Sequence, residues 1–143
     1  QKGAGNKAAF EKIVQAGRKP GVLAYADGQP IGWCAVAPRE VYPFLERSRI
    51  LARVDEKPVW SVTCLFVARP FRGAGVSVQL LKAAVAQAAA QGSRMVEGYP
   101  VMPRKDPMPA VFAWTGTASA FRRAGFKEVA RRSATRPIMR IAV

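Results

Sequence analysis

The chain has 143 residues, half of them hydrophobic, and 23 lysines and arginines against 9 aspartates and glutamates give a formal charge of +14. That length and apolar content suit one domain with a buried core, and exclude a disordered chain or a disulfide-stapled miniprotein. Histidine is absent, so no Ser-His-Asp or Cys-His apparatus can be assembled and the commonest metal ligand is missing.

The excess of positive charge favours an anionic partner: nucleic acid, an anionic membrane surface or a polyanionic cofactor. Charge alone does not choose among them. Cys34 and Cys64 both lie in apolar runs, which suits buried, reduced thiols in a cytoplasmic protein better than a disulfide framework or a metal site. No apolar stretch approaches the ~20 residues that span a bilayer, and the opening QKGAGNKAAF lacks a signal peptide's apolar segment. The start at Gln1 without methionine reads as that of a processed or trimmed chain.

In chain order, Asn6 is placed to cap a helix through KAAFEKIVQAG, with Phe10, Ile13 and Val14 on one face and Gly17 as its stop. Two strands follow, Val22 to Tyr25 and Ile31 to Ala37, joined at Asp27-Gly28, a strong hairpin signal. From Arg39 to Lys57 mixed charged and apolar residues suggest a short helix and loop covering one edge. VWSVTCLFV, β-branched and aromatic, reads as a central strand buried on both faces.

Val76 to Gln91 repeats apolar or small residues at helical spacing and is ended by Gly92. Met95 to Val101 reads as the next strand, so strand, helix and strand form a βαβ unit with parallel strands and a right-handed crossover. MPRKDPMPA is a basic, proline-rich loop. A short helix from near Thr117 stops at Gly125, and two strands, Lys127 to Arg132 and Pro137 to Val143, close the chain.

The chemistry concentrates in FVARPFRGAGVSVQLL, residues 66–81. At a strand-to-helix turn with glycines, successive backbone N–H groups converge on one concavity and the helix N-terminus adds partial positive charge, so a phosphate is the natural guest. Gly73 and Gly75 permit close backbone approach, and Arg69 and Arg72 add charge at the mouth. The spacing is neither a Walker loop, which requires a G-K-[ST] ending, nor a Rossmann fingerprint, which requires a third glycine. Two glycines in a tight turn need no ligand either.

The turn in its context resembles the GNAT superfamily of acyl-CoA N-acyltransferases, whose pyrophosphate loop follows [Q/R]-x-x-G-x-[G/A]. Arg72-Gly73-Ala74-Gly75-Val76-Ser77 aligns with it: Arg72 and Gly75 match, and Ser77 departs from the usual Gly or Ala. The resemblance runs from Asn6 to the end, and EGYPV, GTASAF and RPIMR are similar to an uncharacterised bacterial branch. The family's first strand and helix are not evident upstream of Asn6.

The resemblance implies an α/β (α+β) fold, a single GNAT domain over residues 1–143 with a mixed central sheet flanked by helices. It implies transfer of an acetyl group from acetyl-CoA to a primary amine by direct attack on the thioester, without a metal, by a protein for which homodimers are common. Backbone amides of Arg72, Gly73, Ala74, Gly75, Val76, Ser77 and Val78 would hold the pyrophosphate. Leu65, Phe66 and Val67 would bond the pantetheine arm as an added strand does, where the strands carrying Cys64 to Val67 and Glu97 to Tyr99 splay.

Such transfer needs a neutral amine, a polarised carbonyl and a proton for the thiolate. Glu97 and Tyr99, two apart on one strand and so on one face, are the candidate base and acid. An ion pair explains Glu97 equally, and packing explains Tyr99. The family's frequent acid tyrosine falls at Phe121, which cannot donate a proton and leaves Ser119, Tyr99 or solvent. Cys64 reads as an inert thiol before it reads as a nucleophile. Trp33, Trp60 and Trp114 could wall the acceptor site or simply pack, and Arg104 and Lys105 could meet the cofactor's phosphate or an acidic acceptor. A weakly catalytic acyl-CoA-binding sensor stays open. So does a nucleic-acid-binding module, although the basic residues are dispersed and no nucleic-acid motif occurs.

Overall fold

A computed structural model describes residues 12–15, 21–72, 75–101 and 117–143. The hairpin forms as expected: β2 (Gly21–Ala26) and β3 (Gln29–Pro38) pair antiparallel across a two-residue turn. Asp27 and Gly28 both take positive φ, 52° and 75°, the left-handed geometry that Asp-Gly supplies and that matches the twist of the flanking strands.

The expected helix over KAAFEKIVQAG is not what forms. Its centre is a strand, β1 (Lys12–Gln15), antiparallel to β2 with Ile13 opposite Ala24 and Val14 opposite Leu23. Asn6, Phe10 and Gly17 lie outside the described residues. Ile13 and Val14 are β-branched, and the edge of β2 needs partners for its outward N–H and C=O groups, so tertiary pairing overrides a weak helical periodicity.

After β3 the chain makes a 3-10 turn (Arg39–Val41) and a one-turn helix, α1 (Phe44–Arg47). It then enters β4 (Trp60–Val67), passes a second 3-10 turn (Arg69–Phe71), and forms α2 (Val76–Ala90) and β5 (Met95–Gly98). β5 is parallel to β4, as the βαβ pattern requires. It is shorter than expected, because Tyr99 and Pro100 lie beyond it and Val101 bridges Thr117 instead. α3 (Ala118–Arg123) is capped by the Thr117 side chain, which accepts from Ala120 N, and ends before Gly125 at φ 105°.

β6 (Lys127–Arg131) and β7 (Pro137–Ala142) close the chain, with β7 inserted between β5 and β6. The described strands make one mixed sheet in the order β1-β2-β3-β4-β5-β7-β6. α2 crosses β2, β3 and β4, burying Leu80, Leu81, Ala84 and Ala88 on Val22, Ala24, Cys34, Val36 and Val62. Each fully buried leucine contributes roughly 1.5–3 kcal/mol. The opposite face carries a smaller cluster, Leu45, Leu51, Tyr99 and Ile138, under the 39–57 segment. β4 is therefore covered from both sides, but several of its residues, Cys64 among them, are half-buried rather than sealed.

Candidate active site

The pairing of β4 with β5 sets the site. It covers only Trp60–Val96, Ser61–Glu97 and Val62–Gly98, while β4 runs on to Val67. The parting coincides with an irregularity opposite β3. Ala35 pairs with Cys64 and Val36 with Val62, so Thr63 is an extra residue that bends the strand.

Past the parting, Ala68 N donates to Ile31 O at 2.7 Å, on the β3 side. By strand alternation Leu65 and Val67 turn their backbone groups to the other edge. The Val67 carbonyl there accepts from Arg72 Nε at 2.9 Å, and the Arg72 guanidinium lies 5.9 Å from the Phe66 ring centre. Arg72 is thus folded back over the end of β4.

The turn then delivers α2. Gly75 is its N-cap at φ 82°, ψ 6°, a left-handed conformation that disfavours any side chain, although an added Cβ would meet nothing within 4 Å. The first intrahelical bond is Gln79 N to Gly75 O, 3.1 Å, so the amides of Val76, Ser77 and Val78 have no carbonyl partner in the helix. No side chain caps this end and no acidic residue lies in its first turn. Unspent N–H groups, a helix dipole and a glycine are together able to receive an anion. Gly73 and Ala74 lie outside the described residues, as do Arg104, Lys105 and Trp114.

Glu97 and Tyr99 meet as the alternation predicts: Tyr99 OH donates to Glu97 Oε1 at 2.7 Å. Both are about as buried as side chains can be, at 1% and 2% exposed. Glu97 Oε1 also accepts from Arg39 Nη1 at 3.2 Å, and Oε2 accepts from Arg140 Nε at 2.7 Å. The ion pair weighed for Glu97 in the sequence is therefore present, and doubled. Ser61, opposite Glu97 on β4, shares a 2.7 Å hydrogen bond with Tyr99 OH, and Arg39 Nη1 donates to the same hydroxyl at 3.0 Å. Burial, then the neighbouring Glu97 charge, pushes the Tyr99 phenol well above its usual range, so it stays protonated.

The network reaches outward to the 39–57 segment. Arg140 grips Asp55 with Nη1 and Nη2 at 2.9 and 3.0 Å, and Arg39 donates to Glu46 and to the Leu51 carbonyl. Arg39 and Arg140 gave no signal in the sequence beyond their charge. Only the β5–β7 register, Glu97 opposite Arg140, brings the second to the site.

The other singled-out residues sit in packing. Phe121 is fully buried, its ring against Gly98 of β5 and edge-on to Phe126 at 4.8 Å. Trp33 lies over Gly21, and Trp60 packs on the main core. Burial pushes both cysteine thiols up, Cys34 far beyond the usual range, which makes them poor nucleophiles. Among the described residues no group of three or more Cys, Asp or Glu side chains could hold a metal ion, and no helix is long and apolar enough to cross a membrane.

A parallel βαβ unit whose strands part at a bulge, with an uncapped helix N-terminus beyond the parted edge, defines an α/β protein with a free strand edge and unpartnered helix amides. The chain belongs to the GNAT acetyltransferase family, whose model, described as "Acetyltransferase (GNAT) family", matches residues 3–104. No functionally curated protein matches the sequence.

Solved structures share the fold at low identity. A GNAT-family acetyltransferase from Listeria monocytogenes 4b F2365 is 11% identical with a TM-score of 0.57, over 86% of this chain and 64% of that one. An N-acetyltransferase from Staphylococcus aureus Mu50 is 14% identical with a TM-score of 0.56, over 87% and 67%. Arabidopsis thaliana Naa50, in complex with the bisubstrate analogue CoA-Ac-MVNAL, is 14% identical with a TM-score of 0.52, over 86% and 72%. The chain thus spans about two thirds of the length of the first two.

Proposed function

We propose that the chain, acting as one domain over residues 1–143, transfers an acetyl group from acetyl-CoA to a primary amine. The observation that carries this reading is the parting of β4 from β5 after Val62, which leaves an edge of β4 running toward the uncapped start of α2. In this reading the free edge of β4 at Leu65 and Val67, with Phe66 between them, would take the pantetheine arm, and the amides from Arg72 through Val78 would take the pyrophosphate. Naa50, in complex with a CoA-containing analogue, has the same fold and supports the assignment. The two free cysteines suit work in the cytoplasm.

Acetyl-CoA supplies the activated acyl group and a thiolate leaving group. The protein's part is to hold the thioester between the parted strands and to place the amine against it, which supplies most of the advantage of a bound reaction. Glu97 and Tyr99 are the proposed proton-handling pair. Tyr99 is the proposed donor, as the member of the pair whose O–H carries a proton, held on Glu97 Oε1, and burial makes it a weak acid. Glu97 accepts from Tyr99, Arg39 and Arg140 at once, so its part is to hold the Tyr99 hydroxyl, and the proton of the attacking amine leaves through water. In this reading Phe121 fills the core where an acid tyrosine is frequent.

Calorimetric titration with acetyl-CoA tests the reading, followed by an assay of thiol release with a panel of amines. Micromolar binding and amine-dependent release are expected. No heat and no rise in melting temperature at millimolar acetyl-CoA would sink it. Binding without release to any amine would favour the acyl-CoA sensor, and salt-sensitive retention on RNA without CoA binding would favour a nucleic-acid module.

A further inference from the structure

Four arginines among the described residues are buried or half-buried: Arg39, Arg53, Arg136 and Arg140. Three have carboxylate partners, Arg39 with Glu46 and Glu97, Arg53 with Glu40 and Glu46, Arg140 with Asp55 and Glu97. Arg136 has none. Its Nη2 donates to the Tyr99 carbonyl at 3.2 Å, and its buried Nε has no hydrogen-bond partner. A half-buried guanidinium without a counter-charge, and with an orphaned donor, is costly, and such a group in a native fold calls for an explanation.

Its place supplies one. Arg136 precedes β7 in the β6–β7 turn, where its N–H donates to Ser133 O at 3.3 Å. Tyr99, whose carbonyl it holds, follows Gly98, the last β5 residue paired with β4. Arg136 therefore stands at the lip of the parting, on the β5 side. Glu97, the acid on β5, is already taken by Arg39 and Arg140, so among the described residues no carboxylate pairs with Arg136. With Nη2 on a carbonyl and Nε buried, Nη1 is the end of the fork that a ligand can reach. Burial lowers this guanidinium's affinity for its proton, in keeping with a charge that lacks its partner.

We propose that Arg136 recognises a carboxylate on the acceptor, so that the substrate is an amine that also carries an acid group, such as an amino acid or the acidic end of a peptide. This rests on the acetyltransferase reading above. Guanidinium suits the task because it stays charged and offers a planar fork to a carboxylate, which a lysine cannot reproduce. A charge-assisted bond replacing an uncompensated half-buried charge would separate an acid from its neutral analogue by roughly tenfold or more in affinity.

The test uses matched probes on the whole protein: glycine, β-alanine and 4-aminobutyrate, each beside its carboxamide, titrated calorimetrically into protein saturated with CoA. At least one acid is expected to bind roughly tenfold tighter than its amide. Arg136→Gln should bring the two within about twofold while leaving acetyl-CoA affinity unchanged, and Arg136→Lys should restore only part of the preference. Wherever turnover is seen, Arg136→Gln should raise KM for the acid and spare the amide. Equal binding of acids and amides, no binding of either, or a preference that survives Arg136→Gln overturns the proposal. Asp106, in the MPRKDPMPA loop, lies outside the described residues, and Asp106→Asn is the control for an acid from the chain itself: a rise in acid affinity in this variant would make Asp106 the occupant and likewise overturn the proposal. If CoA itself does not bind, the acetyltransferase reading fails, and the same panel run on the protein alone still decides whether Arg136 selects carboxylates.

Discussion

Glu97 and Arg140 stand opposite one another across β5 and β7, and Arg140 Nε donates to Glu97 Oε2 at 2.7 Å with both residues buried. The same carboxylate takes Arg39 on its other oxygen. One acid therefore joins two guanidinium groups that arrive from different ends of the chain, each of which also meets a more exposed carboxylate, Glu46 or Asp55. Such a pair contributes little over a well-packed apolar substitute, but losing one member strands the others. Glu97→Ala should cost roughly 3–5 kcal/mol in urea unfolding, and Glu97→Gln less, since the amide oxygen still accepts one guanidinium. A Glu97→Ala protein within about 1 kcal/mol of the wild type would mean that water reaches the network and that the charges are not coupled as described.

Asp55 makes the network's outer end sensitive to acid. The Arg140 side chain, then the Lys57 backbone N–H at 3.0 Å, draws its carboxyl down to about 2. An aspartate in the unfolded chain titrates near ~3.9. The folded value is the lower one, so this contribution is fully present above about pH 4 and is lost as the pH falls toward about 2. Stability of wild type and Asp55→Asn, measured by denaturant unfolding across that range, should converge as the pH drops. A constant difference between the two would remove Asp55 as the source.

Gly98 and Phe121 fix how β5 meets α3. A methyl group added at Gly98 would run into the Phe121 ring, whose atoms already occupy that space. Gly98→Ala should therefore destabilise by about 1–3 kcal/mol through overpacking. Phe121→Leu should recover part of that loss in the double variant, a coupling that two separate sites would not show. Strict additivity in thermal unfolding would refute the contact. The pair also gives Phe121 a packing reason to be there, since the glycine leaves room for a ring and not for a second side chain.

Local chemistry was legible in the sequence where one turn or one helix decides the outcome. Asp27-Gly28, the Thr117 cap and the strand-helix-strand rhythm around Val76–Ala90 all form as their residues dictate. What depended on distant partners was not legible. Lys12–Gln15 became a strand because β2 had an open edge, a fact held elsewhere in the chain. The arginine partners of Glu97 are 58 and 43 residues away, and the partners of Arg140 reach 85. An acid in an apolar strand marked Glu97 as special, but without the β4–β5–β7 register nothing could say whether it faced a substrate or two arginines.

Gly75 connects that legible turn to the proposed function. Its φ of 82° costs an L-residue roughly 1–2 kcal/mol, yet a Cβ there would strike nothing. Gly75→Ala should accordingly fold, with a small loss of stability, and should pull the turn away from the left-handed geometry that starts α2. The amides of Val76, Ser77 and Val78 would then no longer converge as they do now, so acetyl-CoA affinity should fall by on the order of tenfold while the fold persists. Calorimetry with acetyl-CoA, paired with circular dichroism to verify the fold, separates the two effects. Undiminished affinity in a folded Gly75→Ala protein would show that this helix start is not where the pyrophosphate rests, and the assignment of the turn would have to be given up.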